Sequence, residues 1–237
     1  AEFQQIEKVH NEDILEELGI NKGSIYLLVH SGSRGYGDYI LRKYIEDYSC
    51  QKGLKENSEG FEEYFKEHNI AVEFGKHNRE LIAYRLLNTI GGRDSVKILD
   101  STHNSISVRE FNGERLYVHR KGAAPADVGC VIIAGTRGSN SYIVKPKADS
   151  LEYGFSVAHG AGRRWNRFSC KERLEHVYPD KSKREKLLGS NLIYSDRSVI
   201  YEEAPEAYKS IDKVIDDMLN EEMIELVATL KPLITYK

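Results

Sequence analysis

The chain has 237 residues, of which 40% are hydrophobic and 30% charged, and it carries a net charge of −3 with a pI near 6.3. That composition excludes a disordered or fibrous chain and leaves room for one large domain or two small ones. A slightly acidic chain meets nucleic acid only through a local basic patch, and no apolar run approaches the about 20 residues of a membrane span.

In chain order, residues 1–7 read as a strand that opens without a cap, as if cut from something longer. Ile25–Val29 is a β-rich apolar run that places His30 at a strand end before a glycine-rich turn. Helices are expected from Tyr36 to about Cys50 and from Gly60 to Asn88, the second closed by Gly91-Gly92. The texture then changes to short strands: 96–99, 106–108, 116–118, 129–133, 141–144 and 155–157. The charged stretch Asp180 to Lys186 reads as a solvated loop. Pro205 to Leu219 reads as a helix with Ala207, Ile211, Val214, Ile215 and Met218 on one face, and residues 226–236 as a closing strand. Strand clusters interrupted by long helices predict one α+β domain over residues 1–237. Three scattered cysteines (Cys50, Cys130, Cys170) lack CxxC spacing, which argues against a disulfide framework or zinc ribbon and for a reducing, cytoplasmic setting.

Three of the eight histidines sit at expected strand ends among small or polar residues: His30, His103 and His159. Small neighbours let a ligand approach the backbone, and imidazole can bind a metal or attack phosphorus. For any one of them a satisfied structural histidine is the commoner outcome; the shared context of three brings the two readings level. The turns Ser31-Gly-Ser-Arg-Gly-Tyr-Gly37 and Gly135-Thr-Arg-Gly-Ser-Asn-Ser141 combine amides, hydroxyls and an arginine, the parts of an anion nest, or else are ordinary turns. Neither is a P-loop or a dinucleotide fingerprint. Basic residues cluster at Arg120-Lys121 and at Arg163-Arg-Trp-Asn-Arg167. The second cluster follows His159 directly and could hold phosphates and stack a base, although a solvated face is the usual outcome.

Seven motifs then occur together: His30-Ser-Gly-Ser-Arg-Gly, Thr102-His103-Asn104, His119-Arg-Lys-Gly-Ala123, Ser141-Tyr142, His159-Gly-Ala-Gly-Arg163, Glu202-Glu-Ala-Pro-Glu-Ala-Tyr208 and Lys231-Pro-Leu-Ile-Thr-Tyr-Lys237. In this order they resemble the RtcB family of GTP- and manganese-dependent RNA ligases, from the first residues to the last. Thr136-Arg137, where the common branch has Ser-Met, suggests a divergent paralogue, such as the bacterial branch coupled to a release-factor-like protein.

The resemblance implies an α+β domain of mixed or antiparallel sheets with flanking helices, and His159 as the nucleophile that takes GMP from GTP. It implies His30 and His103 as manganese ligands. It further implies a guanine nucleotide site of Glu2, His103, Asn104, Ala134, Gly135, Thr136, Arg137, Ser141, His159, Gly160, Ala161, Gly162 and Lys237. In that site Glu2 would accept from the base and Ser141 and Lys237 would donate to it. Arg34, Arg167 and Lys121 would hold RNA phosphates. The implied reaction joins RNA 2′,3′-cyclic phosphate or 3′-phosphate ends to 5′-hydroxyl ends, in tRNA splicing or RNA repair. Its partners would be RNA, GTP and an activating protein, with neither DNA nor membrane.

The family's upstream Asp-x-Gly-Cys and Gly-Asn-His motifs, which complete two metal sites, do not occur here. Two expectations follow: a piece of a longer ligase, or a naturally shortened relative. Two functional alternatives stand beside the ligase, a GTP- and RNA-binding module that has lost catalysis, and a metal-dependent cyclic phosphodiesterase.

Overall fold

The structure, a computed structural model, describes residues 1–147, 151–178, 186–187 and 190–237. They fall into two compact units, one of residues 1–28, 97–103 and 122–237, the other of residues 29–96 and 104–121.

The first unit is organised around its last strand. Of the strands β1 (Glu2–Val9), β2 (Ile25–Leu28), β5 (Ala123–Pro125), β6 (Val131–Ile133), β7 (Ser141–Pro146), β8 (Ser156–Ala158), β9 (Lys186–Leu187), β10 (Ser190–Ile193) and β11 (Ile224–Tyr236), β11 is the longest. One edge of β11 pairs antiparallel with β1, from Glu2 opposite Thr235 to Val9 opposite Ala228, and β2 pairs with the far side of β1. Its other edge is shared: β7 runs antiparallel along Ile224–Leu230, and β10 runs parallel beside Ile234–Tyr236. β6 extends the sheet beyond β7, β9 extends it beyond β10, and β5 and β8 form a separate pair.

Alternation along β7 sends Tyr142 and Val144 to one apolar cluster and Ile143 to another, because successive side chains point to opposite faces. A strand covered on both faces is apolar throughout, which explains the unbroken burial of residues 141–144. One cluster is closed by helix Ile211–Asn220 through Ile211, Ile215 and Met218, spaced at helical intervals. The other is closed by α1 (Glu12–Glu17) through Ile14 and Leu15. The side chain of Asn11 caps α1 by accepting from the Ile14 amide at 3.0 Å. A third cluster joins Cys170 and Leu174 of α4 (Cys170–Leu174), Tyr178, and Ile200 and Tyr201 of α5 (Val199–Glu202).

The second unit holds α2 (Gly35–Tyr48), α3 (Glu59–Thr89) and the hairpin of β3 (Asn104–Phe111) and β4 (Glu114–Lys121). Tyr44, buried on α2, stacks on Tyr48 and meets the edge of Tyr64 from α3. Phe61 and Phe65 of α3 set the edge of Tyr117 of β4 at 5.0 and 5.9 Å. The hairpin turns at Asn112-Gly113, both at positive φ, as a two-residue turn between twisted strands requires.

The α+β architecture of predominantly antiparallel strands with flanking helices is the one expected, and most element positions agree. Two do not. Residues 96–99 form no strand; Ile98 and Leu99 instead pack on the cluster around Ile6 and Leu15 without joining a ladder. The helix expected from Pro205 is broken: a short 3₁₀ turn spans Pro205–Ala207, Tyr208 is extended and bridges to Arg163, and the helix proper, α6, runs from Ile211 to Asn220. Ser210 caps it by accepting from the Lys213 amide, and a capping serine ends a helix on its own N-terminal side. Of the charged stretch Asp180–Lys186, only Lys186 lies among the described residues, in β9. The described residues include no helix long and apolar enough to cross a membrane, and the three cysteines are unpaired.

Candidate active site

His159 leaves the end of β8, and the pairing of β8 with β5 brings it to the Gly122 that opens β5. Its Nδ1 lies 2.5 Å from the Gly122 carbonyl oxygen. A carbonyl only accepts, so Nδ1 carries a proton, and in the neutral ring the in-plane lone pair then belongs to Nε2. Gly122 is suited to this place twice over. Its φ is +70°, and a Cβ there would stand 3.1 Å from His159 Cε1. Its amide donates to the carbonyl of His103 at 2.8 Å, which fastens the third participant.

The rings of His103 and His159 stack with centroids 4.4 Å apart and planes 19° apart. Ring nitrogens bond in the plane of the ring, so stacked imidazoles neither bond each other nor grip one ion between their faces. Any ligand of the two rings must therefore be met at their edges.

On its other side the His159 backbone meets the end of β6. The Ala134 amide donates to the His159 carbonyl at 3.3 Å, and Ala134 forms a parallel bridge with Gly160. The next residue, Gly135, approaches Asn140 so closely that a Cβ would lie 2.1 Å from its carbonyl oxygen. Its amide donates to Ser141 Oγ at 3.0 Å, and the Thr136 amide to Ser139 Oγ at 2.7 Å. Two amides of this turn are thus already occupied by the turn's own hydroxyls, which weakens its reading as a bare anion nest.

From Ser141 the bonds continue to β1. Gln4 Nε2 donates to Ser141 Oγ at 2.9 Å and to Glu2 Oε2 at 2.5 Å, and Thr235 Oγ1 donates to Glu2 Oε1. Glu2, Gln4, Ser141 and Thr235 are all buried. Burial raises the pKa of Glu2, opposed by the bonds from Thr235 and Gln4. Gln4 is not among the residues expected from the sequence, although alternation on β1 puts Glu2, Gln4 and Ile6 on one buried face, and polar groups at two core positions are costly.

Beyond β11, Lys237 Nζ stands 3.4 Å from Glu203 Oε2, and Tyr208 donates to the same carboxylate at 2.7 Å. Burial would raise the pKa of Glu203, but Lys237, Tyr208 and Arg163 outweigh it and hold it below the ordinary value. Arg163 is consumed internally: it donates to the Trp165 and Glu202 carbonyls and to Tyr208, and it lies over the Tyr208 ring. Trp165 packs on the third cluster with Arg173 over its face. Two members of the basic run after His159 are therefore structural, while Arg167 is exposed within 4.0 Å of Glu202 and Glu203. Arg137 is buried, its pKa lowered by that burial and raised again by Tyr178, with which it hydrogen-bonds, and by Glu206.

The first unit thus links His103, Gly122, His159, Ala134, Gly135, Ser141, Gln4, Glu2 and Thr235 through successive contacts. Ala161 is buried in the core, and Gly162, at positive φ, accepts from the Lys209 amide. The remaining expected residues belong to the second unit. His30 is exposed beyond β2, in the turn whose Ser31 and Gly32 are held by Asn78 and Arg79 of α3. Arg34 is exposed at positive φ before α2, and Asn104 pairs with Lys121 at the open end of the hairpin. Arg120, by contrast, is buried and donates to Ser107 at 2.7 Å.

Among the described residues, no group of three or more His, Cys, Asp or Glu side chains could hold a metal ion. Manganese favours oxygen-rich sets of several ligands, so His30 and His103 by themselves do not make a complete site for it.

The model of the tRNA-splicing ligase RtcB family matches residues 1–237. The chain is 40% identical over 237 residues to the RNA-splicing ligase RtcB2 of Escherichia coli, covering 100% of this chain and 62% of that protein. It is 30% identical to the tRNA-splicing ligase RtcB of Thermococcus kodakarensis and 29% identical to that of Archaeoglobus fulgidus, in each case over 98% of this chain and 56% of the relative. It thus spans between half and two thirds of the length of these relatives. A match along its whole length establishes that the chain belongs to the RtcB family.

Proposed function

We propose that the chain carries the nucleotidyl-transfer centre of a GTP-dependent RNA ligase, with His159 as its nucleophile. The observation that carries this reading is the bond from His159 Nδ1 to the Gly122 carbonyl, which makes Nε2 the nucleophilic nitrogen of the neutral ring. In the proposed first step the Nε2 lone pair forms a bond to the α-phosphorus of GTP, the bond to the bridging oxygen breaks, and pyrophosphate leaves with that electron pair. The ring becomes cationic as it is phosphorylated, and the Gly122 carbonyl faces its Nδ1–H and stabilises that charge. The GMP then passes to an RNA 3′-phosphate, itself derived from a cyclic phosphate, and a 5′-hydroxyl displaces it to give a 3′,5′ phosphodiester.

Glu2 accepting and Ser141 and Lys237 donating suit the N–H donors and the O6 acceptor of guanine. The loop atoms of Asn104, Ala134, Gly135, Thr136, Arg137 and Gly160 to Gly162 fall to the rest of the nucleotide by resemblance. By resemblance His30 and His103 would be among the ligands of manganese, which would neutralise phosphate charge. Arg34, Arg167 and Lys121 would meet RNA phosphates, the local basic groups that an acidic chain needs. A cytoplasmic setting accords with three unpaired cysteines.

The test is joining of an RNA ending in a 2′,3′-cyclic phosphate or 3′-phosphate to one starting with a 5′-hydroxyl. Product that requires both GTP and Mn²⁺ and disappears in His159→Ala supports the reading. Binding of GTP and RNA without joining would favour the non-catalytic module, and cyclic-phosphate opening without GTP the phosphodiesterase.

A further inference from the structure

Gln4 occupies a position whose chemistry is out of keeping with its burial. It is 0% exposed, both protons of its amide nitrogen are used, and its Oε1 has no hydrogen-bond partner. A buried acceptor left unsatisfied costs stability, and an apolar side chain of the same length would avoid that cost. What the residue contributes therefore lies in the two bonds that it donates.

Its two donated bonds identify what. The amide orientation is fixed by Glu2, because turning the amide over would set Oε1 against the carboxylate oxygen 2.5 Å away. With Nε2 so directed, Ser141 Oγ accepts from Gln4 and also from the Gly135 amide. A serine hydroxyl has two lone pairs and one proton. With both lone pairs filled, only the proton remains to offer a ligand. The same amide, together with Thr235, holds the Glu2 carboxylate in place as an acceptor.

We infer that Gln4 is a positioning residue that sets the hydrogen-bonding polarity of the base pocket, fixing Glu2 as acceptor and Ser141 as donor and thereby selecting 6-oxopurines over 6-aminopurines. This rests on the nucleotide-site reading above. Guanine presents an acceptor at O6 beside donors at N1 and N2, whereas adenine presents a donor at N6 beside an acceptor at N1. A pocket with the order fixed matches the first and opposes the second, and a site left with unpaired buried groups rejects the wrong partner strongly. Without the amide of Gln4 the Ser141 hydroxyl regains a free lone pair and can rotate to accept, and the carboxylate loses one of its two fixed bonds.

The experiment compares the full chain and its Gln4→Met variant, measuring calorimetric affinities for GTP and for ATP in Mn²⁺ and the melting temperature of each. The wild type is expected to prefer GTP, and the variant to lose about 10-fold or more of that preference, through weaker GTP binding together with equal or tighter ATP binding, a change of about 1.4 kcal/mol. Its melting temperature is expected to change little, since the orphaned acceptor is gone while Glu2 and Ser141 each lose a donor. An unchanged GTP-to-ATP ratio would overturn the inference while leaving the nucleotide site standing. Equal weakening of both nucleotides with a lower melting temperature, or a variant that does not fold, would make Gln4 a packing residue and overturn it as well. A wild type without preference for GTP would overturn the nucleotide-site reading itself.

Discussion

At the scale of single residues, the site depends on one glycine as much as on its histidines. Gly122 holds φ at +70° and leaves room for the His159 ring, which a Cβ would meet at 3.1 Å. Gly122→Ala carries the left-handed cost of about 1–2 kcal/mol and also displaces the ring. Gly129, at φ +81° with open space around it, carries the backbone cost alone. Melting temperatures of the two alanine variants should fall alike, whereas nucleotide transfer to His159 should be lost only in Gly122→Ala; equal transfer in both would contradict the geometry. Glu203 gives a pH-dependent counterpart. Its pKa is held below the ordinary 4.5 despite burial, so its ionised form is favoured by folding. The resulting stability is present above the unfolded pKa and is lost as pH falls through the folded one. Acidification below about pH 4.5 should lower the melting temperature of the wild type more than that of Glu203→Gln, with parallel curves excluding the effect. His159 and His103 were legible in the sequence as histidines at strand ends among small residues. Their stacking was not, because it depends on pairing between β5 and β8, which lie 30 or so residues apart and are each only three residues long.

At the scale of elements, the segment before α6 shows where local sequence rules compete. Pro205 suits a first helical turn, and the apolar spacing from Ala207 to Met218 continues across the break. The chain nonetheless straightens at Tyr208, where its backbone bridges to Arg163 and the Lys209 amide donates to the Gly162 carbonyl at 3.1 Å. Tertiary bonds to the residues just after His159 outweigh the helical pattern, and Ser210 then restarts the helix. Ser210→Ala should cost about 1 kcal/mol in urea unfolding, and no loss would mean that the α6 N-terminus is satisfied by other groups. The strands were easier to read than the 96–99 segment, because alternation and flanking turns distinguish a ladder, whereas an apolar pair such as Ile98-Leu99 can be buried without one. α1 had a visible signal in Asn11 ahead of Glu12-Asp13 and Ile14-Leu15, an N-cap followed by acids and then an apolar pair.

At the scale of the whole molecule, the strand that closes the sequence also organises the first unit. β11 carries β1 along one edge and β7 and β10 along the other, so Thr235 can meet Glu2 and Ser141 can meet Gln4 across 233 and 137 residues of chain. Such long-range register is invisible to periodicity, and motifs supply what periodicity cannot: Glu2 and Ser141 are implied by resemblance and are linked to His159 through bonded neighbours in the fold. The central claim is that His159 Nε2 takes a nucleotide. The most direct measurement is the intact mass of the full chain after incubation with GTP and Mn²⁺, followed by peptide mapping, with His159→Ala alongside. The account predicts one added GMP, mapped to His159, labile to acid as a phosphoramidate is, and absent from the variant. A GMP adduct that persists in His159→Ala, or that maps to another residue, would contradict it.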